Sequence, residues 1–341
     1  MSRIKVLVVD DSSTMRQLVA RVLELDPEIE VVGAAKSALE ARELIKQLDP
    51  DVMTLDVEMP EMDGLSFLER VMRLRPMPVV MVSSMTAKGT DTAIAALALG
   101  AVDCVVKPTA DHPNSFDELP VKVKIASKVR RRKTSPDTEA KAPFSGPYQP
   151  AGHVVGIGSS TGGVEALISI LTGFPANCPP TLVTQHMPPV FTRNLAMRLD
   201  KMCAPRVVEA SSGMQISPGT IYVAPGGESH LEVSGRMVLT CSLRPGAPVN
   251  GHCPSIDRLF MSMARTLGPR AVGVLLTGMG RDGAQGLLEI RREGGRTIGQ
   301  DEATSVVYGM PKVAAELGAV EAQYPLGRIG ETILALTASR T

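Results

Sequence analysis

The chain has no excess of charge of either sign: its 341 residues carry 36 Lys plus Arg and 36 Asp plus Glu. Without a net field, nothing in the overall balance draws it to nucleic acid or to an acidic membrane surface, so its partners have to be read from particular sites. It also lacks a long apolar run. The N-terminus, MSRIKVLVVDD, reaches acidic residues after one short hydrophobic stretch. No uninterrupted apolar segment approaches the roughly 20 residues of a membrane-spanning helix. A cytoplasmic protein that is not embedded in a membrane is expected. Closely spaced cysteines are missing as well: Cys104, Cys178, Cys203, Cys241 and Cys253 are odd in number, scattered and without C-x-x-C spacing, as expected of reduced thiols. His252-Cys253-Pro254 has no second ligand pair at a suitable spacing, so no metal is assigned to it.

What is present is enough chain for two globular units, each able to bury its own core. IKVLVV, VVGAA, DVMTLD, PVVMVSS and AVDCVV are short, β-branched and aliphatic runs, and between them lie segments with helical apolar spacing such as MRQLVARVLEL and ALEARELIKQL. Strands this uniformly apolar suit a parallel sheet covered on both faces. The first unit is therefore expected to be a five-stranded, doubly wound α/β domain. FDELPVKVKIASKVRRRK reads as its last helix, and the basic run Arg130 to Lys133 as a solvated helix end rather than a nucleic-acid contact. TSPDTEAKAPFSGPYQP, rich in proline and poor in apolar residues, reads as a linker. These signals divide the chain into residues 1–133, a linker over 134–151, and a second unit over 152–341.

In the second unit HVVGIG, TLVTQ, TIYVAP, AVGVLLTG and RTIGQ are strand candidates, and PSIDRLFMSMARTL and GMPKVAAEL are helices. HLEVSGRMVLT suggests a hairpin turning at Ser234-Gly235. The whole is a larger doubly wound α/β unit with a hairpin.

The polar candidates of the first unit gather on one edge. Asp10 and Asp11 stand at the end of the first strand, Asp56 at the end of the third, Ser83 at the end of the fourth, and Lys107 after the fifth. In an open parallel sheet the carboxyl ends of the strands form the ligand-binding edge. Taken singly, Asp10 and Asp11 read as acids at a helix N-terminus and Lys107 as a residue before a proline turn; their conjunction points to a site. Three carboxylates held together repel one another unless a cation joins them, and all-oxygen ligation suits Mg²⁺. A carboxylate beside Mg²⁺, with a lysine and a hydroxyl nearby, is equipped to accept a phosphoryl group, and Asp56 is the best placed acceptor.

VLVVDDSSTMR, LDVEMPEMDG, VVMVSS and VVKP resemble the receiver domain of two-component response regulators, which has a flavodoxin-like fold. The resemblance implies Asp56 as phosphoacceptor, Asp10, Asp11 and Asp56 around Mg²⁺, Ser83 as a switch hydroxyl and Lys107 as the cation that senses the phosphoryl group. It departs at Cys104, where many receivers carry an aromatic residue, which argues against a simple aromatic-rotamer switch.

The second unit opens with GIGSSTGG, Gly156 to Gly163, between a strand and a helix. Thr161 stands where a dinucleotide fingerprint needs its third glycine, and no acid follows at the next strand end. Gly158 to Gly162 does satisfy G-x-S-x-G, whose small residues let a serine occupy a sharp strand-to-helix turn. Ser160 is then the candidate nucleophile, though spacing alone does not distinguish it from Ser159. His186 follows the strand TLVTQ directly. Asp282 lies in the glycine-rich turn after AVGVLL, on the same edge if parallel order holds. These three residue types supply a nucleophile, a base and an orienting carboxylate, and a backbone N–H near Met279 is a candidate oxyanion donor.

GIGSSTGG, TQHMPP, FTRNLAMRL, IYVAPGG, LTGMGRDGA and VVYGMP resemble the catalytic domain of the chemotaxis receptor methylesterases. That resemblance implies Ser160, His186 and Asp282 as a triad needing no cofactor, with Thr161 and Met279 beside the reacting centre. It implies hydrolysis of glutamyl methyl esters on methyl-accepting chemoreceptors with release of methanol, together with glutamine deamidation. A chemotaxis histidine kinase is then the phosphoryl donor, and the protein is expected at membrane receptor arrays. The competing expectations are a receiver-controlled binding module without catalysis and an esterase acting on another signalling protein. A DNA-binding output is disfavoured because the second unit has neither a basic balance nor a helix-turn-helix stretch.

Overall fold

The computed structural model describes residues 3–60, 62–84, 86–110, 113–129 and 148–339. The basic run Arg130 to Lys133 and most of the expected linker lie outside these residues. The chain divides into two compact units, Met1–Glu139 and Ala140–Thr341.

In the first unit β1 (Ile4–Val9), α1 (Ser13–Glu24), β2 (Ile29–Ala35), α2 (Ala38–Leu48), β3 (Val52–Asp56), α3 (Gly64–Leu74), β4 (Val79–Ser83), α4 (Ala87–Ala98), β5 (Asp103–Val106) and α5 (Leu119–Lys128) alternate strictly. The five strands pair in parallel in the order β2-β1-β3-β4-β5. β3 and β4 are buried along their whole length, as strands roofed by helices on both faces must be. Side chains start the helices where the sequence offers an oxygen: Ser12, Ser37, Asp63 and Thr86 each accept a hydrogen bond from the third backbone N–H beyond them.

The second unit contains β6 (Val154–Ser159), α6 (Gly163–Leu171), β7 (Thr181–Gln185), α7 (Pro189–Met202), β8 (Arg206–Glu209), β9 (Thr220–Val223), β10 (Ser229–Ser234), β11 (Thr240–Pro245), α8 (Ile256–Leu267), β12 (Ala271–Leu275), α9 (Ala284–Arg292), β13 (Arg296–Gln300), α10 (Met310–Glu316), β14 (Ala322–Tyr324) and α11 (Leu326–Thr337). Seven strands form a parallel sheet in the order β14-β13-β12-β6-β7-β9-β8. The winding reverses between β6 and β12: successive strands leave β6 toward β7 on one side and β12 toward β13 on the other. A crevice opens at such a reversal, beyond the carboxyl ends of the strands. Helix α8 buries Ile256, Leu259, Phe260, Met263 and Leu267, and a Cβ on Gly156 or Gly158 would run into Met263 and Ile256, so these glycines let the helix lie close on β6.

The hairpin is present but turns later than Ser234-Gly235. Ser234 pairs with Thr240, so residues 235–239 form the turn, and the adjacent apolar residues Met237 and Val238 within it are exposed. Tyr148 is buried, its hydroxyl within 2.8 Å of Thr337 Oγ1, and Ala151 N–H donates to Thr337 O, which ties the entry of this unit to its last helix.

Candidate active site and phosphoacceptor cluster

Parallel pairing brings Asp10, just after β1, beside Asp56, the last residue of the neighbouring β3, and both carboxylates are buried. With Asp11 they form, among the described residues, a group in which one carboxylate oxygen from each lies within 4.8 Å of the others, as a metal ion would need. Lys107, after β5, places Nζ 3.0 Å from Asp10 Oδ2 and 2.9 Å from Asp56 Oδ1. Even so, Asp10 Oδ2 is buried without a well-formed hydrogen bond, and the cluster holds three acids to one lysine. Burial is the main cause that pushes the Asp56 carboxyl up to about 6, with the Asp10 charge adding to it and Lys107 opposing it. On Lys107 burial works downward, but the carboxylates outweigh it and raise the ammonium's pKa. An oxygen-only, under-neutralised group of this kind fits a hard divalent cation. Ser83 is buried and its hydroxyl donates to Gly89 O at 2.9 Å, so it is turned toward the start of α4 and not toward Asp56. At the position of the usual aromatic, Cys104 is held through its carbonyl, which accepts from Lys122 Nζ at 2.8 Å.

In the second unit the register Ser159↔Gln185 sets Ser160 and His186 one residue beyond adjacent strand ends, and His186 N–H donates to Ser159 O. The two serines separate clearly. Ser159 is fully buried and its Oγ donates to Gln185 Oε1 at 2.6 Å. Ser160 is half-buried, its carbonyl accepts from Gln185 Nε2 at 2.9 Å, its N–H donates to Thr277 O, and among the described residues its hydroxyl has no hydrogen-bond partner. Gly162, at φ 76°, makes the sharp turn that starts α6 just beyond this serine.

Asp282 reaches His186 from the far side of the crevice, Nε2 to Oδ2 at 2.9 Å. Its carboxylate is 1% exposed and also accepts from Ile256 N, Ser255 Oγ and Asn250 Nδ2 at 2.7, 2.8 and 3.0 Å. Burial alone would raise its pKa, but the imidazole and these donors outweigh it and hold the carboxyl at about 2. Because the carboxylate occupies Nε2, the other ring nitrogen, Nδ1, is left buried and unpartnered. That polarity is opposite to the serine-protease arrangement, in which the carboxylate holds Nδ1. The ring of His252 stacks on that of His186, with centroids 3.7 Å apart and planes 12° from parallel. Thr161 is buried; Met279 is 45% exposed, and among the described residues its backbone N–H donates to no carbonyl. Gly278 leaves room beside the serine, since a Cβ there would stand 2.6 Å from Ser160 Cβ.

The structure thus gathers Asp10, Asp11, Asp56 and Lys107 into one cluster and Ser160, His186 and Asp282 onto the crevice of the other sheet. Asn250, Ser255 and His252 complete the second site without a sequence signal. They come from one loop before α8, and only tertiary packing brings that loop over Asp282.

Fold and sites together define the class: a receiver domain carried in one chain with an α/β domain that bears a serine-hydrolase constellation. The family model for the response regulator receiver domain matches residues 6–114, and that for CheB methylesterase matches residues 155–333. A protein-glutamate methylesterase/protein-glutamine glutaminase of Agrobacterium fabrum is 59% identical over 98% of this chain and 97% of its own. A second, from Caulobacter vibrioides, is 54% identical over the full length of both. The crystal structure of the Thermotoga maritima CheB methylesterase catalytic domain is 38% identical, covers 55% of this chain and 100% of its own, and superposes with a TM-score of 0.53. The chain belongs to the CheB methylesterase family.

Proposed function

We propose that this chain, in chemotaxis adaptation, hydrolyses glutamyl methyl esters on methyl-accepting chemoreceptors, and that phosphorylation of its receiver regulates the rate. The observation that carries this reading is the imidazole of His186, fixed through Nε2 by the buried Asp282 while Nδ1 stays free at the strand end next to Ser160. Ser160 Oγ attacks the ester carbonyl as His186 Nδ1 takes its proton, and the N–H groups of Thr161 and Met279 are the candidate donors to the oxyanion. The imidazolium returns the proton to the departing methoxide, methanol leaves, and the glutamyl group remains esterified to Ser160. Water, deprotonated by the same nitrogen, then releases glutamate and restores the serine. A glutamine side chain presents the same carbonyl with ammonia as leaving group, so protein-glutamine glutaminase activity belongs to the same site.

In the receiver, over residues 1–133 and joined by a linker over 134–151 to the hydrolase over 152–341, Asp56 is the phosphoacceptor. A chemotaxis histidine kinase is its donor. Asp10, Asp11 and Asp56 would hold Mg²⁺, which supplies neutralisation of charge on the transferred phosphoryl oxygens. Lys107 pairs with the oxygens brought to Asp56, and Ser83 has to leave Gly89 O to reach them. Among the described residues no helix is long and apolar enough to cross a membrane, which fits action from the cytoplasm on receptor arrays.

The test is methanol release from membranes carrying methylated receptors, with and without acetyl phosphate and Mg²⁺. Serine-dependent release, absent in Ser160→Ala and raised by the donor only while Asp56 is intact, is expected. Equal release by Ser160→Ala would overturn the hydrolytic reading, and release indifferent to the donor would overturn the regulatory one.

A further inference from the structure

The receiver also has an open apolar feature between two of its helices. Helix α3 packs on α4, whereas α2 rests on β1 and β2, and between α2 and α3 a trough of about 750 Å³ stays open. Its floor is apolar, with Ile45, Phe67 and Val71, and its lips carry Leu39 and Leu74, which are 71% and 75% exposed. Five cations line it: Arg42 and Lys46, one turn apart on α2, and Arg70, Arg73 and Arg75 on and just beyond α3. Among the described lining residues none is acidic, in a chain whose charges balance overall. Lys46 pairs with Glu43 and Arg75 with Asp49, while Arg42, Arg70 and Arg73 have no carboxylate partner among the described residues.

Unpaired guanidinium groups of one sign across a greasy trough repel each other and leave apolar side chains wet; an occupant that relieves both must be anionic at its edges and apolar along its centre. We propose that this trough binds an acidic amphipathic helix of a partner protein, its apolar ridge on Ile45, Phe67 and Val71 and its flanking carboxylates on Arg42, Arg70 and Arg73. The shape selects a helix over a lipid surface: a helical ridge enters a trough between two helices, whereas a flat bilayer touches only the lips and leaves the floor wet. Neither Ser160 nor any member of the acidic cluster is among the trough's lining residues.

The full chain is titrated with a fluorescent synthetic helical peptide that has a leucine ridge flanked by glutamates, against the same peptide with lysines in place of the glutamates. Saturable, salt-sensitive binding of the acidic peptide alone is expected, weakened at least about tenfold by Arg70→Glu with Arg73→Glu. The charge-neutral pair Arg70→Gln with Arg73→Gln, on exposed positions, should lie between. Absence of saturable binding, or binding that both pairs leave unchanged, would overturn the proposal. So would capture by vesicles of phosphatidylcholine and phosphatidylserine that depends on these arginines while the peptide fails to bind.

Discussion

Replacing Asp282 by asparagine changes one oxygen to an NH₂ group at a position where every neighbour donates. Oδ2 accepts from His186 and Ile256 N, and Oδ1 accepts from Ser255 Oγ and Asn250 Nδ2. A carboxamide can serve only one of these pairs. If its oxygen stays with His186, the NH₂ faces the Asn250 amide; if it turns, the NH₂ faces the Ile256 N–H and drives the imidazole to accept at Nε2. The second choice moves the ring proton to Nδ1, the nitrogen assigned as the base. Wrong tautomers of this kind cost about 10⁴ in kcat in serine proteases. The lost carboxylate acts on stability too. A carboxyl held at about 2 rather than 3.8 contributes roughly 2 kcal/mol, present above pH ~4 and lost as pH falls toward 2. Facing donors cost about 1–3 kcal/mol more. The Asp282→Asn protein should therefore fold, melt several degrees lower, and lose about 10³- to 10⁴-fold in the rate of methanol release. Nitrogen-15 spectra of His186 should show the proton on Nε2 in the parent and on Nδ1 in the variant. A folded variant that keeps a tenth or more of the parent rate with its ring proton on Nδ1 would refute the assignment of Nδ1 as base.

The raised Asp56 carboxyl predicts that, without divalent cations, receiver stability falls as pH rises from about 4 through about 6, because ionisation is opposed more in the folded than in the unfolded chain. Asp56→Asn should abolish that fall and raise the melting temperature at pH 7; an unchanged pH profile would contradict the burial argument. Mg²⁺ should stabilise the parent receiver and not the variant, measured as the shift in melting temperature at fixed pH. Gly278→Ala would press a methyl group on Ser160 and Met310, so activity should drop far more than the about 1–3 kcal/mol of stability that overpacking costs; parent-like turnover would show the serine to be freer than the packing indicates.

The parallel sheets were legible because several strands are short runs rich in β-branched and aliphatic residues: IKVLVV coincides with β1, and PVVMVSS and AVGVLLTG contain β4 and β12. The acidic cluster was legible for the same reason, since strand ends on one edge of a parallel sheet must meet. The short edge strands β8 and β14 were not, because RVVE and AQY mix polar and apolar residues on a margin that solvent reaches. The turn of the hairpin was misplaced because Met237 and Val238 are apolar residues that read as the start of a strand, whereas both are exposed. Choosing between Ser159 and Ser160 needed the partner strand, for only Gln185 reveals which hydroxyl is already engaged. His252 stands in the His-Cys-Pro run that no metal assignment fits, and nothing local to it foretells its stacking on His186, which depends on how one loop folds across the site.

The nucleophile, its base and the orienting carboxylate each hang from a different member of the trio β12, β6 and β7 at the middle of a seven-stranded parallel sheet. A slip of one residue between any two of these strands would turn every side chain to the opposite face and expose the core, so the site has no inexpensive distorted state. A signal that raises or lowers turnover therefore has little to gain from bending this catalytic geometry; the variable left to it is who may approach Ser160, and for how long.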